Sequence, residues 1–198
     1  MGNKKLSSLV LLSLSSALVL AACGGEGSTA DSSESAGANG SDQVLNLIES
    51  AEIPTMDSVQ ATDTVAFTAL SNVNEGLYRQ GLDGTVELGI AAEDPTGSED
   101  GLVYTFTIRD EANWSNGEPV TAEDFVYSWR KLVDPAEAAS YSYMMAGVIA
   151  NATEIIDGAV APEELGVKAI DEKTLEITLT SPVPYFKDLL TLAMFFPQ

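Results

Sequence analysis

Histidine is absent from the 198-residue chain. Ser-His-Asp and Cys-His catalysis within the chain are thereby excluded, as are zinc sites built on imidazole. Cysteine occurs once, at Cys23, so no disulfide can form within the chain. Basic residues are scarce: 9 Lys and Arg stand against 30 Asp and Glu, a formal net charge of −21. That imbalance argues against nucleic acid and against adsorption to anionic lipid, since both need a cationic surface. Its default meaning is a solvated, soluble face. Carboxylate pairs of the glycosidase kind remain possible. With 30 acids in the chain, however, neighbours such as Glu123-Asp124 and Glu163-Glu164 carry little information. Nothing in the composition asks for a cofactor or a metal.

The first residues read as an address. Lys4 and Lys5 precede an apolar run, Leu9 to Leu20, that is too short to span a bilayer comfortably. Leu20-Ala21-Ala22 then leads directly into Cys23, which resembles the bacterial lipobox, whose cysteine is lipidated and becomes the mature N-terminus. Residues 1–22 are therefore expected to be a signal peptide, with Cys23 the lipidation site and lipid anchor. A lone exposed thiol in an exported chain would otherwise be reactive and unpaired. Residues 23–42 are rich in Gly, Ser and Ala, a composition that predicts a flexible tether.

The most strongly specified stretch is Trp114-Ser-Asn-Gly-Glu-Pro-Val-Thr-Ala-Glu-Asp-Phe-Val-Tyr-Ser-Trp-Arg130. Asn116-Gly117 suits a tight turn, and Pro119 forces regular structure to restart after it. Thr121 is a natural N-cap, and Asp124 three residues on approximates a reciprocal capping box. Phe125, Val126, Trp129 and Val133 then recur at helical spacing and define one buried face. Upstream, Leu102 to Arg109 alternates as a strand. By chemistry alone this strand, turn and helix form a structural module with nothing catalytic in it.

These same residues carry a resemblance. Tyr104-Thr-Phe-Thr-Ile-Arg109 followed by the 114–130 stretch is similar to the signature region of the oligopeptide-binding lipoproteins of peptide ABC importers, extracellular solute-binding family 5. The likeness continues through Val133-Asp-Pro135, Leu165-Gly-Val-Lys-Ala-Ile170 and Pro182-Val-Pro-Tyr-Phe186, and covers most of the chain after residue 43. It implies an α+β, periplasmic-binding-protein-like fold of the peptide-binding type. Residues 43–76 would be the N-terminal part of lobe I and residues 77–198 the second domain, with the third lobe missing. It also implies that Ala61, Thr62, Asp63 and Thr64 face the backbone of a bound peptide and that Tyr141 faces the same cleft. From the residues themselves, Thr62 or Asp63 serves equally as a helix cap, and Tyr141 as a partly buried packing residue.

The remaining elements can be predicted in outline. Gln43 to Ile48 reads as a first strand. A helix carrying Val65, Leu70 and Val73 should end at Gly76. Asp94-Pro-Thr-Gly97 reads as a turn, and Ser140 to Met145 as an aromatic and methionine cluster opening a helix, with Met144 and Met145 in the core. Val167 to Ile170 pairs with Thr174 to Leu179 across Asp171-Glu-Lys173, with Leu175, Ile177 and Leu179 inward. Tyr185 to Leu192 starts another helix. The apolar end, Phe195-Phe-Pro-Gln198, predicts exposed residues that want a partner surface and an N-terminal fragment of a longer protein.

The expected function is a monomeric, non-enzymatic receptor. It would capture oligopeptides outside the cell and deliver them to an ABC permease, from a lipid anchor on the outer face of a Gram-positive type membrane. Two other readings stay open: the same fold binding a dipeptide, peptide pheromone or nickel complex, and a surface adhesin or hydrolase.

Overall fold

A computed structural model describes residue 44 and residues 46–198. The expected leader, Cys23, the tether, and Gln43 and Leu45 of the expected first strand lie outside the described residues. Asn46, Leu47 and Ile48 adopt no regular structure, and Leu47 and Ile48 are exposed. The expected strand is therefore not formed there, because a strand needs a ladder partner and these residues have none among the described ones.

The fold is built on the predicted central module. Helix α2, Ala122–Val133, begins as expected. The Thr121 hydroxyl accepts from the Asp124 amide at 3.4 Å, and the Asp124 carboxylate accepts from the Thr121 amide at 2.8 Å. The same carboxylate accepts from the Trp114 indole at 3.2 Å, which ties the preceding turn to the cap. Gly117 in that turn has φ +89°, a conformation that disfavours residues with a Cβ. Phe125, Val126, Trp129, Leu132 and Val133 are all buried, while Tyr127 on the opposite face is 59% exposed.

Against this helix lies a four-stranded antiparallel sheet. Its strands are β3 (Thr96–Gly97), β4 (Val103–Thr107), β5 (Val167–Ala169) and β6 (Thr174–Thr178), in the order β3-β4-β6-β5. The register sets Phe106 opposite Leu175, and Tyr104 and Val167 opposite Ile177. Side chains alternate along a strand, so these residues share the face turned to the core. Lys168, Glu176 and Thr105 share the other, where Lys168 pairs with Glu176 at 2.8 Å. The expected turn at 94–97 is thus partly strand, since Thr96 and Gly97 pair with Thr105 and Tyr104. Strands β1 (Tyr78–Gln80) and β2 (Val86–Leu88) form a separate hairpin.

Helix α1, Thr64–Val73, differs from expectation at its end. Ala66 and Leu70 are its buried residues, Val73 is exposed, and the cap is Asn74, whose amide donates to Leu70 O. Gly76 serves packing instead: a Cβ there would come within 2.8 Å of Leu190 O and of Phe196 Cδ1. The expected helix at 140–145 is a single 3-10 turn, Ser142–Met144, with Met145 in the core and Met144 only partly buried. Helices α3 (Ala152–Ile156) and α4 (Phe186–Leu189) are short, and the helical stretch expected to run to Leu192 breaks after α4 into a 3-10 turn at Ala193–Phe195.

The apolar C-terminal segment is the largest departure from expectation. Met194, Phe195 and Phe196 are buried, not exposed. Phe195 packs edge-on to Trp129 at 5.6 Å between ring centres. The Trp129 indole donates to Phe195 O at 3.0 Å, and the Ser128 hydroxyl to Phe196 O at 2.7 Å. The chain supplies its own partner surface, so these side chains need no other. Leu47–Gln198 forms one compact unit.

Trp129 is therefore expected to be the most costly core truncation. Trp129→Ala should destabilise the chain by about 3–5 kcal/mol in urea denaturation, as large-to-small core changes do. Tyr127→Ala, two residues away on the exposed face, should change stability by less than about 0.5 kcal/mol.

Candidate ligand-binding loop

The segment Asp57–Thr64 is a short turn feeding α1. Its geometry begins at Asp57, whose backbone carbonyl accepts from the Gln60 amide at 3.1 Å and the Ala61 amide at 2.9 Å. One Asp57 carboxylate oxygen accepts from the Val59 amide at 3.0 Å, closing an Asx-type turn. Val59 and Ala61 are buried, and Ala61 packs with Ala66, Leu70, Ala193 and Phe196. At the helix start, Asp63 is the residue that caps, accepting from the Ala66 amide at 3.0 Å. Thr62 and Thr64 flank it and are exposed.

Tyr141 comes from a loop far along the chain, yet the structure brings it beside this helix. Phe67, about one turn beyond Asp63, meets the Tyr141 ring edge-on at 5.7 Å, and Tyr141 in turn leans on Tyr143 at 6.0 Å. The expected residues thus gather around the first two turns of α1. Their roles differ. Ala61 has no exposed side chain, Asp63 is committed to the cap, and Thr62, Thr64 and half-buried Tyr141 offer surface. Phe67 and Tyr143 belong to the same surface, and the sequence reading does not single them out as site residues. Phe67 has a local signal, an aromatic three residues past Thr64 on the same helical face. Tyr143 has none beyond its neighbourhood to Tyr141.

The start of the loop is held by a polar ring. Lys131 Nζ donates to the second Asp57 oxygen at 2.7 Å and to Gln198 Oε1 at 2.9 Å. Gln198 Nε2 donates back to Asp57 at 2.7 Å and to the buried Ser58 hydroxyl at 2.8 Å. Burial of Asp57 raises its pKa, but the hydrogen bonds from Lys131, Gln198 and the Val59 amide outweigh that, and the carboxyl sits below its ordinary 3.8.

Three of the cavities among the described residues bear on this region. One of about 900 Å³ is walled by Phe67, Val73, Trp114, Met194 and Phe196. A second, of about 660 Å³, shares Glu75 and Arg109 with it, and these two side chains form an ion pair. The third, of about 560 Å³, reaches Asp57, Ser58 and Gln198. Ala61, Thr62, Asp63, Thr64 and Tyr141 line none of the three. The arrangement presents hydroxyls, main-chain groups and aromatic faces, which suits non-covalent contact with a polar backbone.

Comparison with known proteins places this geometry in a class of solute-binding proteins. The family model described as "Bacterial extracellular solute-binding proteins, family 5 Middle" matches residues 85–198. The oligopeptide-binding protein OppA of Bacillus subtilis is 38% identical over 98% of this chain and 35% of its own length. A dipeptide-binding protein of Lactococcus lactis is 39% identical over 74% of this chain and 26% of its own. Among solved structures, Listeria monocytogenes OppA bound to peptide superposes with a TM-score of 0.73 and 48% identity, over 76% of this chain and 29% of that one. The chain belongs to the family 5 bacterial extracellular solute-binding proteins, and it spans about a third or less of the length of these relatives. The α+β, peptide-binding periplasmic-type fold expected from the sequence is the one observed.

A pH dependence follows from the lowered Asp57 pKa. Its contribution to stability is fully present above the ordinary value of 3.8 and is lost as pH falls through the lower folded value. Asp57→Asn should therefore lower the urea midpoint at neutral pH and flatten its fall in the acid range, measured from about pH 6 to about pH 3.

Proposed function

We propose that the chain is part of a receptor that captures oligopeptides outside the cell and passes them to an ABC permease. One observation carries this reading: 76% of the chain superposes on a peptide-bound OppA with 48% sequence identity. The surface at Thr62, Thr64 and Tyr141 supports it, since hydroxyls and an aromatic face suit a peptide backbone with variable side chains. Binding proceeds without covalent chemistry, so the protein is a receptor and not an enzyme. Residues 43–76 contribute to the first lobe and residues 77–198 form the second domain. Dipeptides are a second candidate ligand class, favoured by the Lactococcus lactis relative of that name.

Cys23 carries the lipid, and residues 24–42 form a tether that lets the monomeric receptor stand off the outer face of the cell membrane. An N-terminal cysteine bearing two or more acyl chains anchors stably where one chain does not. Labelled palmitate should be incorporated by the wild-type chain and not by Cys23→Ala, which should also leave the membrane fraction. Equal labelling and retention of the variant would remove the anchor.

Because these residues span about a third or less of the relatives' length, peptide affinity of the 198 residues alone should be weak, with a Kd of about 1 mM or higher. Amide and side-chain shifts on titration with tri-L-alanine and di-L-alanine check this. Changes are expected at Ala61 to Thr64 and at Tyr141. Changes confined to other residues would dismiss the site, and submicromolar affinity would show that these residues suffice for tight binding.

A further inference from the structure

The ring of Lys131, Asp57 and Gln198 ties the start of the loop to α2 and to the C-terminal segment. It sits where the loop's position is decided. Asp57 is the acceptor for three successive amides of the turn, those of Val59, Gln60 and Ala61. Whatever holds Asp57 therefore holds the turn, and through it Thr62 and the start of α1. Asp57 is held by Lys131, from the last turn of α2. The other end of the turn is tied to the same part of the fold, because Gln60 Nε2 donates to the Glu137 carbonyl at 3.0 Å, just beyond α2. Gln198 closes the ring by bonding Asp57, Ser58 and Lys131 at once.

We infer that Lys131, acting through Asp57 and Gln198, is a positioning residue that registers the 61–64 loop against the C-terminal end of α2. The inference rests on the reading of 61–64 as the ligand-facing loop. Two features make the role one of registration more than of general support. Buried Val59 and Ala61 keep the loop near the core whether or not the ring forms, so losing the lysine frees the loop's position without removing its apolar contacts. The Lys131–Asp57 pair also spans 74 residues and joins segments that share no strand ladder, so no backbone pairing duplicates it. The lysine is a strong choice for the task. Its ammonium has three donors and meets two acceptors here, one of them charged.

The test is amide hydrogen exchange on the 198-residue chain, comparing wild type with Lys131→Met and Lys131→Arg. In Lys131→Met the amides of Val59, Gln60 and Ala61 should exchange about tenfold faster or more, while those of Leu175 and Ile177 in β6 stay unchanged. Lys131→Arg, which keeps a donor on a long stem, should hold the loop amides near their wild-type rates. Unchanged loop exchange in Lys131→Met would overturn the inference. So would equal acceleration in β6, which would mark the lysine as a support of the core only. A tri-L-alanine titration of the same proteins separates the ligand reading from the latch. Wild-type shift changes at 61–64 that weaken in Lys131→Met support both. Their absence in wild type overturns the ligand reading and the ligand half of this inference, while the exchange result still decides whether Lys131 registers the loop.

Discussion

Two side chains of α2, Ser128 and Trp129, hydrogen-bond the carbonyls of Phe196 and Phe195, and most of the remaining arrangement follows from that contact. The C-terminal segment runs past α4 without a strand partner, so its backbone groups have no ladder to enter. A buried carbonyl left unpaired costs about 1–3 kcal/mol, which would drive the segment off the core. An indole N–H and a hydroxyl, one residue apart on a helix, provide the missing donors. With the segment in place, Phe196 and Ala193 pack against Ala61, Ala66 and Leu70. Helix α1 is thus seated on the C-terminal segment, which is itself seated on α2.

This order of dependence explains why the candidate site sits where it does. The loop before α1 takes its position from α2, through Lys131 and Gln60, and from the C-terminal segment, through Gln198. Tyr141 reaches the same region because the chain after α2 turns back toward Phe67. A candidate surface assembled from two loops on a helix and sheet suits recognition by main-chain and aromatic contact. The family to which the chain belongs is one of solute-binding proteins.

Much of the frame was legible in the sequence because its signals are local. The capping box at Thr121 and Asp124, the positive φ at Gly117 and the alternation in β6 each depend on residues within a few positions. Helix α1 ends before Gly76, which answers to a tertiary contact with Leu190 and Phe196 and not to the helix before it. The 94–97 stretch carries turn residues, yet Thr96 and Gly97 are recruited into the sheet by β4. Exposure of Phe195 and Phe196 was expected for a similar reason. No local pattern says that a helix more than 60 residues earlier carries the donors their carbonyls need.

By itself the sequence determined the absence of imidazole chemistry, the acidic character, the start of α2, the β5–β6 pairing and the family motif. All of these are set by composition or by neighbours along the chain. Only the tertiary structure decided that the C-terminal aromatics are buried, that Phe67 meets Tyr141, and that Lys131 grips Asp57 across 74 residues. Such pairings depend on where distant segments come to rest, and loop-closure entropy allows many alternatives until a packed core selects one.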